Sequence, residues 1–195
     1  MINVARFLVK LYFTIFYRVE LINKEYVPEQ GAALLCSNHV GAMDMFFIGY
    51  KIKRLVHYMA KSELFKIPVI GAIIRWLGAF PVNRGKGDIG AMKTVFRLLD
   101  EGKIVGIFPE GTRTRGKIDV NRKIKPGIAL MAIKSDVPII PVAIKGSYKL
   151  FGKVKVIFGQ PFKLDVDKDK KYNKDELAEM SKMIMSRIYS LMEEY

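Results

Sequence analysis

The chain is expected to fold as a single-domain α/β sandwich around a largely parallel or mixed sheet, preceded by an N-terminal amphipathic helix. Three observations predict this. Short apolar, β-like runs alternate with stretches of helical periodicity, the pattern of strands joined by crossover helices. The length of 195 residues suits about one domain with a sizeable core. Half the residues are hydrophobic, which excludes a globally disordered chain.

The elements follow in order. Ile2 to about Leu21 has helical character, with Arg6, Lys10, Thr14 and Arg18 recurring every four residues as one polar, cationic stripe. Val4, Phe7, Leu8, Leu11, Tyr12, Phe13, Ile15 and Phe16 fill most of the remaining circumference. No uninterrupted apolar run approaches the roughly 18 residues needed to span a bilayer. A basic stripe beside a wide aromatic face suits a helix lying in a membrane interface. Residues 1–24 are therefore read as an interfacial segment and residues 25–195 as the main domain. No signal peptide is expected, because charges recur in the segment and no small-residue cleavage site follows.

Strands are expected at Ala32–Ser37, Leu55–Ala60, Gly78–Val82, Ile104–Phe108, Ile139–Ile144 and Val154–Phe158. Helices are expected at Met43–Ile52, Val69–Leu77, Ile89–Leu99 and Gly127–Lys134. The run Val137 to Val142 carries Pro138 and Pro141, which should confine it to an edge, a strand start or an irregular site. Lys163 to Lys174 is a charged connector. The final helix, about Lys174 to Met192, places Leu177, Met180, Met183, Ile184, Ile188 and Leu191 on one core-packing face.

The net charge of +14 is uneven. From Asp165 onward acids exceed bases by two, so the first 164 residues carry +16. A basic body suggests an anionic partner such as a membrane surface, a phosphorylated substrate or nucleic acid. The aromatics sit in apolar helices and strands rather than among the bases, which argues against nucleic acid. Two histidines and one cysteine supply no zinc constellation, and a lone Cys36 excludes an internal disulfide.

Four stretches could carry chemistry. The first is His39-Val40-Gly41-Ala42-Met43-Asp44, which puts an imidazole and a carboxylate five residues apart on a strand-to-helix turn. Histidine moves protons near neutral pH, and a neighbouring carboxylate fixes its tautomer. The second is Phe108-Pro109-Glu110-Gly111-Thr112-Arg113, a loop leaving a buried strand. Gly111 permits positive φ or close backbone approach. Thr112 offers a hydroxyl, and Arg113 a fork that matches phosphate or carboxylate. Glu110 is placed to orient Arg113 or to close the site. The third is Gly78 to Arg84, a strand ending in a second arginine. The fourth is Val137 to Val142, which supplies an apolar wall.

Other matches are weaker. Gly85-Lys86-Gly87-Asp88-Ile89-Gly90 fits G-x-G-x-x-G, but Asn83 and Arg84 stand where an apolar strand end should meet the first glycine. The same stretch fails the P-loop pattern. Cys36 and Ser37 precede His39, yet adjacent strand positions face opposite sides, so at most one approaches it; Cys36 reads as a small core residue. His57 has no evident partner. The bases of Arg113 to Lys125 suit a nucleic-acid patch, a solvated loop, or a loop that meets anionic headgroups or a phosphorylated acyl carrier.

In order and spacing these four stretches resemble the glycerolipid acyltransferase superfamily, and within it the small bacterial 1-acyl-glycerol-3-phosphate acyltransferases. The resemblance spans about residues 38 to 142. It implies that His39 is the general base on the free sn-2 hydroxyl of lysophosphatidate and that Asp44 orients it. It implies that Arg84, Glu110, Gly111, Thr112 and Arg113 bind the glycerol phosphate acceptor. The acyl donor would be acyl-CoA or acyl-carrier protein and the product phosphatidate, with no metal and no other cofactor. It further implies peripheral or monotopic attachment at the cytoplasmic side of the cell membrane. Glycerol-3-phosphate or another lysolipid remains open as acceptor, as does a membrane-binding module without activity.

Overall fold

The computed structural model describes residues 2–49, 51–83, 88–116, 119, 122 and 124–195. Among them, seven strands form one sheet: β1 (Arg18–Ile22), β2 (Ala33–Ser37), β3 (Val56–Lys61), β4 (Phe80–Val82), β5 (Ile104–Ile107), β6 (Ile139–Gly146) and β7 (Lys153–Phe158). The order is β1-β7-β6-β2-β5-β3-β4. β2 to β6 run parallel, β7 is antiparallel to β6, and β1 is parallel to β7. The expected α/β sandwich on a mixed sheet is the fold observed.

The helices are α1 (Ile2–Phe16), α2 (Asp44–Gly49), α3 (Pro68–Trp76), α4 (Ile89–Asp100), α5 (Gly127–Ser135) and α6 (Lys174–Glu194). Local chemistry sets their starts. α3 begins on Pro68, whose missing N–H costs nothing in a first turn. Asp88 caps α4 by accepting from the Ala91 N–H. At α6, Asn173 and Glu176 form a capping box.

Alternation along the strands builds two cores. Ala33 and Leu35 of β2 face Phe13 of α1 and Phe47 and Ile48 of α2. Leu34 and Cys36 face α4, α5 and α6 through Val95, Leu98, Ile128, Ile184 and Ile188. Cys36 is fully buried there, and burial pushes its thiol up, so it is no nucleophile beside His39.

Two expectations are corrected. The N-terminal helix stops at Phe16, and Arg18–Ile22 forms β1 rather than continuing it. Pairing with β7, from Arg18↔Lys153 to Ile22↔Ile157, overrides the helical periodicity. Pro141 lies inside the sheet rather than at an edge. Its carbonyl accepts the Gly159 N–H just past the last β6–β7 pair, Val142↔Phe158, so the β2–β6 register runs through it unbroken.

The register positions the site. Cys36 of β2 lies beside Ile107 of β5, so the chains leaving the two carboxyl ends run side by side from Asn38 and Phe108. That end of a parallel sheet is where α/β proteins bind ligands. The β6–β7 hairpin turns at the same end.

Candidate active site

His39 is fixed before its ring is considered. Asn38 uses its amide as a substitute backbone: Nδ2 donates to the Ile144 carbonyl (2.9 Å) and Oδ1 accepts the Ile144 N–H (2.8 Å). This continues β2–β6 pairing by one position. The His39 N–H then donates to Glu110 Oε2 (2.6 Å). The His39 carbonyl accepts from the Thr114 backbone N–H (2.7 Å) and hydroxyl (3.1 Å). The loop after β5 therefore holds both backbone groups of the residue after β2.

The imidazole Nδ1 lies 2.6 Å from Asp44 Oδ2. Asp44 is fully buried at the start of α2. Its oxygens also accept the Gly41 N–H (3.0 and 2.9 Å) and the Tyr148 hydroxyl. The reach back from Asp44 to Gly41 repeats the i,i+3 geometry of a capping box. Gly41 has a second duty, since a Cβ there would sit 3.1 Å from the Tyr148 ring. Burial, then the charge of Asp44, pushes the Tyr148 hydroxyl up, so it stays a proton donor. A buried carboxylate with this many donors remains a charge-assisted acceptor for Nδ1–H. The arrangement leaves Nε2 as the ring's free basic nitrogen.

A stack of two rings backs the imidazole. His39 lies on Phe108 (centroids 4.2 Å, planes 17°), and Phe108 on Tyr58 (5.7 Å, 15°). His39 also lines a cavity of about 170 Å³ with Met59, Val82, Ile128 and Met131, and with Gly111 and Lys125 at its polar side.

The remaining expected residues divide. Glu110 is 4% exposed, and its second oxygen accepts the Tyr189 hydroxyl (3.0 Å). Its carboxylate thus grips His39 and α6 and does not orient Arg113, correcting that expectation. Burial pushes the Glu110 carboxyl up against the opposing pull of these hydrogen bonds. Gly111 has φ +67°, as its position required, and a Cβ there would meet the Lys125 side chain at 2.8 Å. Thr112 is exposed and accepts from Arg122 (3.1 Å). Arg113 is exposed. Arg84 lies outside the described residues, as do Gly85 to Gly87 and, in the basic loop, Lys117 and Lys123. His57 is structural: its Nδ1 pairs with the Gly78 carbonyl at 2.9 Å.

Tyr148, Tyr189, Thr114 and the Tyr58–Phe108 stack were not anticipated as parts of the site. Tyr148 is 104 residues from Asp44 and Tyr189 is 79 from Glu110, so no local spacing announces either. Among the described residues, no group of three or more His, Cys, Asp or Glu is placed to hold a metal ion.

Glu110 gives a prediction that separates size from charge. Glu110→Gln keeps an oxygen for the His39 N–H, and its NH₂ donates to the Tyr189 oxygen, so the fold should hold. Glu110→Ala orphans two buried donors and should cost about 2–4 kcal/mol in urea unfolding. The native carboxyl titrates above its unfolded counterpart, so its contribution is fully present below the unfolded range and is lost as pH rises through the folded value. Wild-type stability relative to Glu110→Gln should therefore fall as pH rises through that window; a difference flat with pH would refute the burial argument.

A family model described as Acyltransferase matches residues 18–145. The chain is 36% identical over 179 residues to the 1-acyl-sn-glycerol-3-phosphate acyltransferase of Bacillus subtilis, covering 89% of this chain and 87% of that one. It is 29% identical to the protein of the same name in Borreliella burgdorferi, covering 83% and 67%. The crystal structure of the 1-acyl-sn-glycerophosphate (LPA) acyltransferase PlsC from Thermotoga maritima superposes with a TM-score of 0.71 at 24% identity, covering 98% of this chain and 79% of that one.

Proposed function

The chain belongs to the acyltransferase family, and we propose that it transfers a fatty acyl group to the sn-2 hydroxyl of 1-acyl-sn-glycerol-3-phosphate, giving phosphatidate. The observation that carries this reading is the buried His39–Asp44 contact of 2.6 Å, with Asp44 held from two further sides. The names of the relatives support the choice of acceptor.

The chemistry follows from the geometry. Asp44 accepts Nδ1–H and so keeps Nε2 unprotonated. Nε2 takes the proton of the acceptor hydroxyl as the oxygen attacks the thioester carbonyl. The resulting imidazolium is stabilised by the Asp44 carboxylate beside it. The tetrahedral adduct collapses, the C–S bond breaks, and the thiolate leaves with the proton that His39 returns. The thioester is already activated, so the step needs neither a covalent enzyme intermediate nor a metal. Acyl-CoA and acyl-carrier protein are the two donors proposed. Arg113, with Arg84, is proposed for the acceptor phosphate. Gly111 and Thr112 shape that side of the site, and Glu110 serves it by holding the His39 loop.

We place the enzyme at the cytoplasmic face of the cell membrane. No described helix is long and apolar enough to cross a membrane. However, α1 exposes Val4, Phe7, Leu8, Leu11 and Ile15, and α3 exposes Val69, Ile70, Ile73 and Trp76. An apolar groove of about 750 Å³ runs between the two helices. A patch of this kind marks an interaction surface. An α1 that lies in the interface would bring the site to a membrane-borne lysolipid.

The deciding experiment presents purified protein with lysophosphatidate, glycerol-3-phosphate and other lysolipids, each with both donors. Thiol release and phosphatidate by mass spectrometry are the readouts. Turnover restricted to another acceptor would displace this reading. In the same assay Arg113→Ala should raise the acceptor KM about 10- to 100-fold, the worth of a charge-assisted contact; an unchanged KM would remove Arg113 from the phosphate.

A further inference from the structure

We propose that the tip of the β6–β7 hairpin, Leu150 and Phe151, inserts into the lipid surface as a second anchor beside α1. The proposal rests on the reading that the protein works at a membrane. It adds an element that the amphipathic pattern of α1 does not include.

Four features converge on the tip. Leu150 and Phe151 are adjacent and 54% and 58% exposed. Phe151 is held at φ +59°, a left-handed conformation that is a genuine outlier for a bulky side chain. Glycine or asparagine would adopt it at little cost and would suit water better. The backbone is nonetheless fixed there: the Phe151 N–H donates to the Phe16 carbonyl (2.7 Å) and the Gly152 N–H to the Lys149 carbonyl (2.9 Å). Strain of this kind persists where a side chain's direction matters.

The tip also continues the apolar face of α1. Leu8, Leu11, Tyr12 and Ile15 are exposed at i, i+3, i+4 and i+7 on one side of that helix. Tyr12 contacts Phe16 (4.9 Å between centroids), and Phe16 contacts Phe151 (6.2 Å). The exposed apolar row therefore runs off the end of α1 onto the hairpin without a polar break.

Charge favours a lipid over a protein occupant. Lys149 and Lys153 flank the tip, and Arg18 is the register partner of Lys153. All three are exposed, and among the described residues no carboxylate pairs with them. Aromatic and aliphatic side chains ringed by cations match the boundary between acyl chains and anionic headgroups. Tyr148, which donates to Asp44, lies two residues before Leu150, so a seated tip sets the site at headgroup depth.

The test uses the full chain and sedimentation with vesicles of phosphatidylglycerol and phosphatidylcholine. The double variant Leu150→Ser/Phe151→Ser should bind vesicles about tenfold or more weakly than the intact protein. Its turnover of a short-chain acceptor below its micellar concentration should be unchanged. Lys149→Ala/Lys153→Ala should flatten the dependence on the phosphatidylglycerol fraction. Trp76 is the only tryptophan, so Phe151→Trp in a Trp76→Phe background reports the tip alone, even if the serine variant misfolds. Its emission should shift to the blue and be quenched by brominated lipid. Intact protein that fails to sediment with vesicles would overturn the membrane reading and this proposal together. Intact protein that binds, with equal binding by the serine variant or with no quenching at position 151, would overturn the tip alone.

Discussion

Replacing His39 by alanine is expected to lower kcat by about 10²- to 10⁴-fold, the usual worth of a general base. The fold should survive, because position 39 is held through its backbone. The N–H to Glu110 and the carbonyl to Thr114 do not depend on the ring. Asp44 would lose one partner but keep the Gly41 N–H and the Tyr148 hydroxyl. Asp44→Asn should be nearly as damaging for a different reason. Its amide satisfies Gly41 with the oxygen and offers Nδ1 a donor in place of an acceptor. Nδ1 must then accept, Nε2 carries the proton, and the base is lost while packing is kept. Tyr148→Phe removes one of Asp44's donors and should lower kcat by less than either. Thiol release from the donor in the presence of lysophosphatidate checks all three, with circular dichroism for folding. Wild-type turnover by a folded His39→Ala protein would end the proposed mechanism.

The legible parts of this protein were those with a short period or a short span. Alternation located six of the seven strands to within about two residues, and the 3.6-residue period located α4 and α6, although Met183, expected on the core face of α6, is 54% exposed and Met185 and Tyr189 are buried in its place. The dyad was legible because Asp44 is only five residues from His39, across one strand-to-helix turn. β1 was missed because Arg18–Ile22 continues the helical stripe, and only its neighbour β7, some 130 residues on, makes it a strand. Pro141 misled for a related reason. Whether a proline breaks a sheet depends on which neighbour its missing N–H would have faced, and sequence does not state that. The shell around the dyad was illegible for the same cause. Its position in the sequence suits Glu110 to orient Arg113 or close the site, whereas its oxygens turn to His39 and to Tyr189 at the far end of the chain. Side-chain direction at a loop is settled by tertiary partners, and those partners come from α6 and the β6–β7 hairpin.

Gly106→Val should be among the most damaging changes that leave every polar group of the site untouched. Gly106 is the register partner of Tyr58 across β3 and β5. The Tyr58 ring leans over β5 to reach Phe108, and a Cβ at position 106 would sit 2.1 Å from its Cε1 and 2.7 Å from its Cζ. Those distances allow no accommodation by a small shift. The ring is 5% exposed, and its hydroxyl has no hydrogen-bond partner among the described residues, so packing alone holds it. A valine must therefore expel the ring, which costs stability at the upper end of about 1–3 kcal/mol or beyond. In a domain of this size that is a fall in Tm of about 6–12 °C. The displaced Tyr58 takes the backing from Phe108, and Phe108 from the imidazole at 4.2 Å, so kcat should fall as well. The cause can be isolated by a double-mutant cycle. Tyr58→Ala alone opens a cavity that should cost about 3–5 kcal/mol. Combined with Gly106→Val, the branched side chain fills part of that space and the clash disappears, so the pair should be less destabilised than the sum of the singles. Strict additivity in the urea midpoints would show that Gly106 is not there to let the ring pass, and the stack behind His39 would lose its role in holding the base.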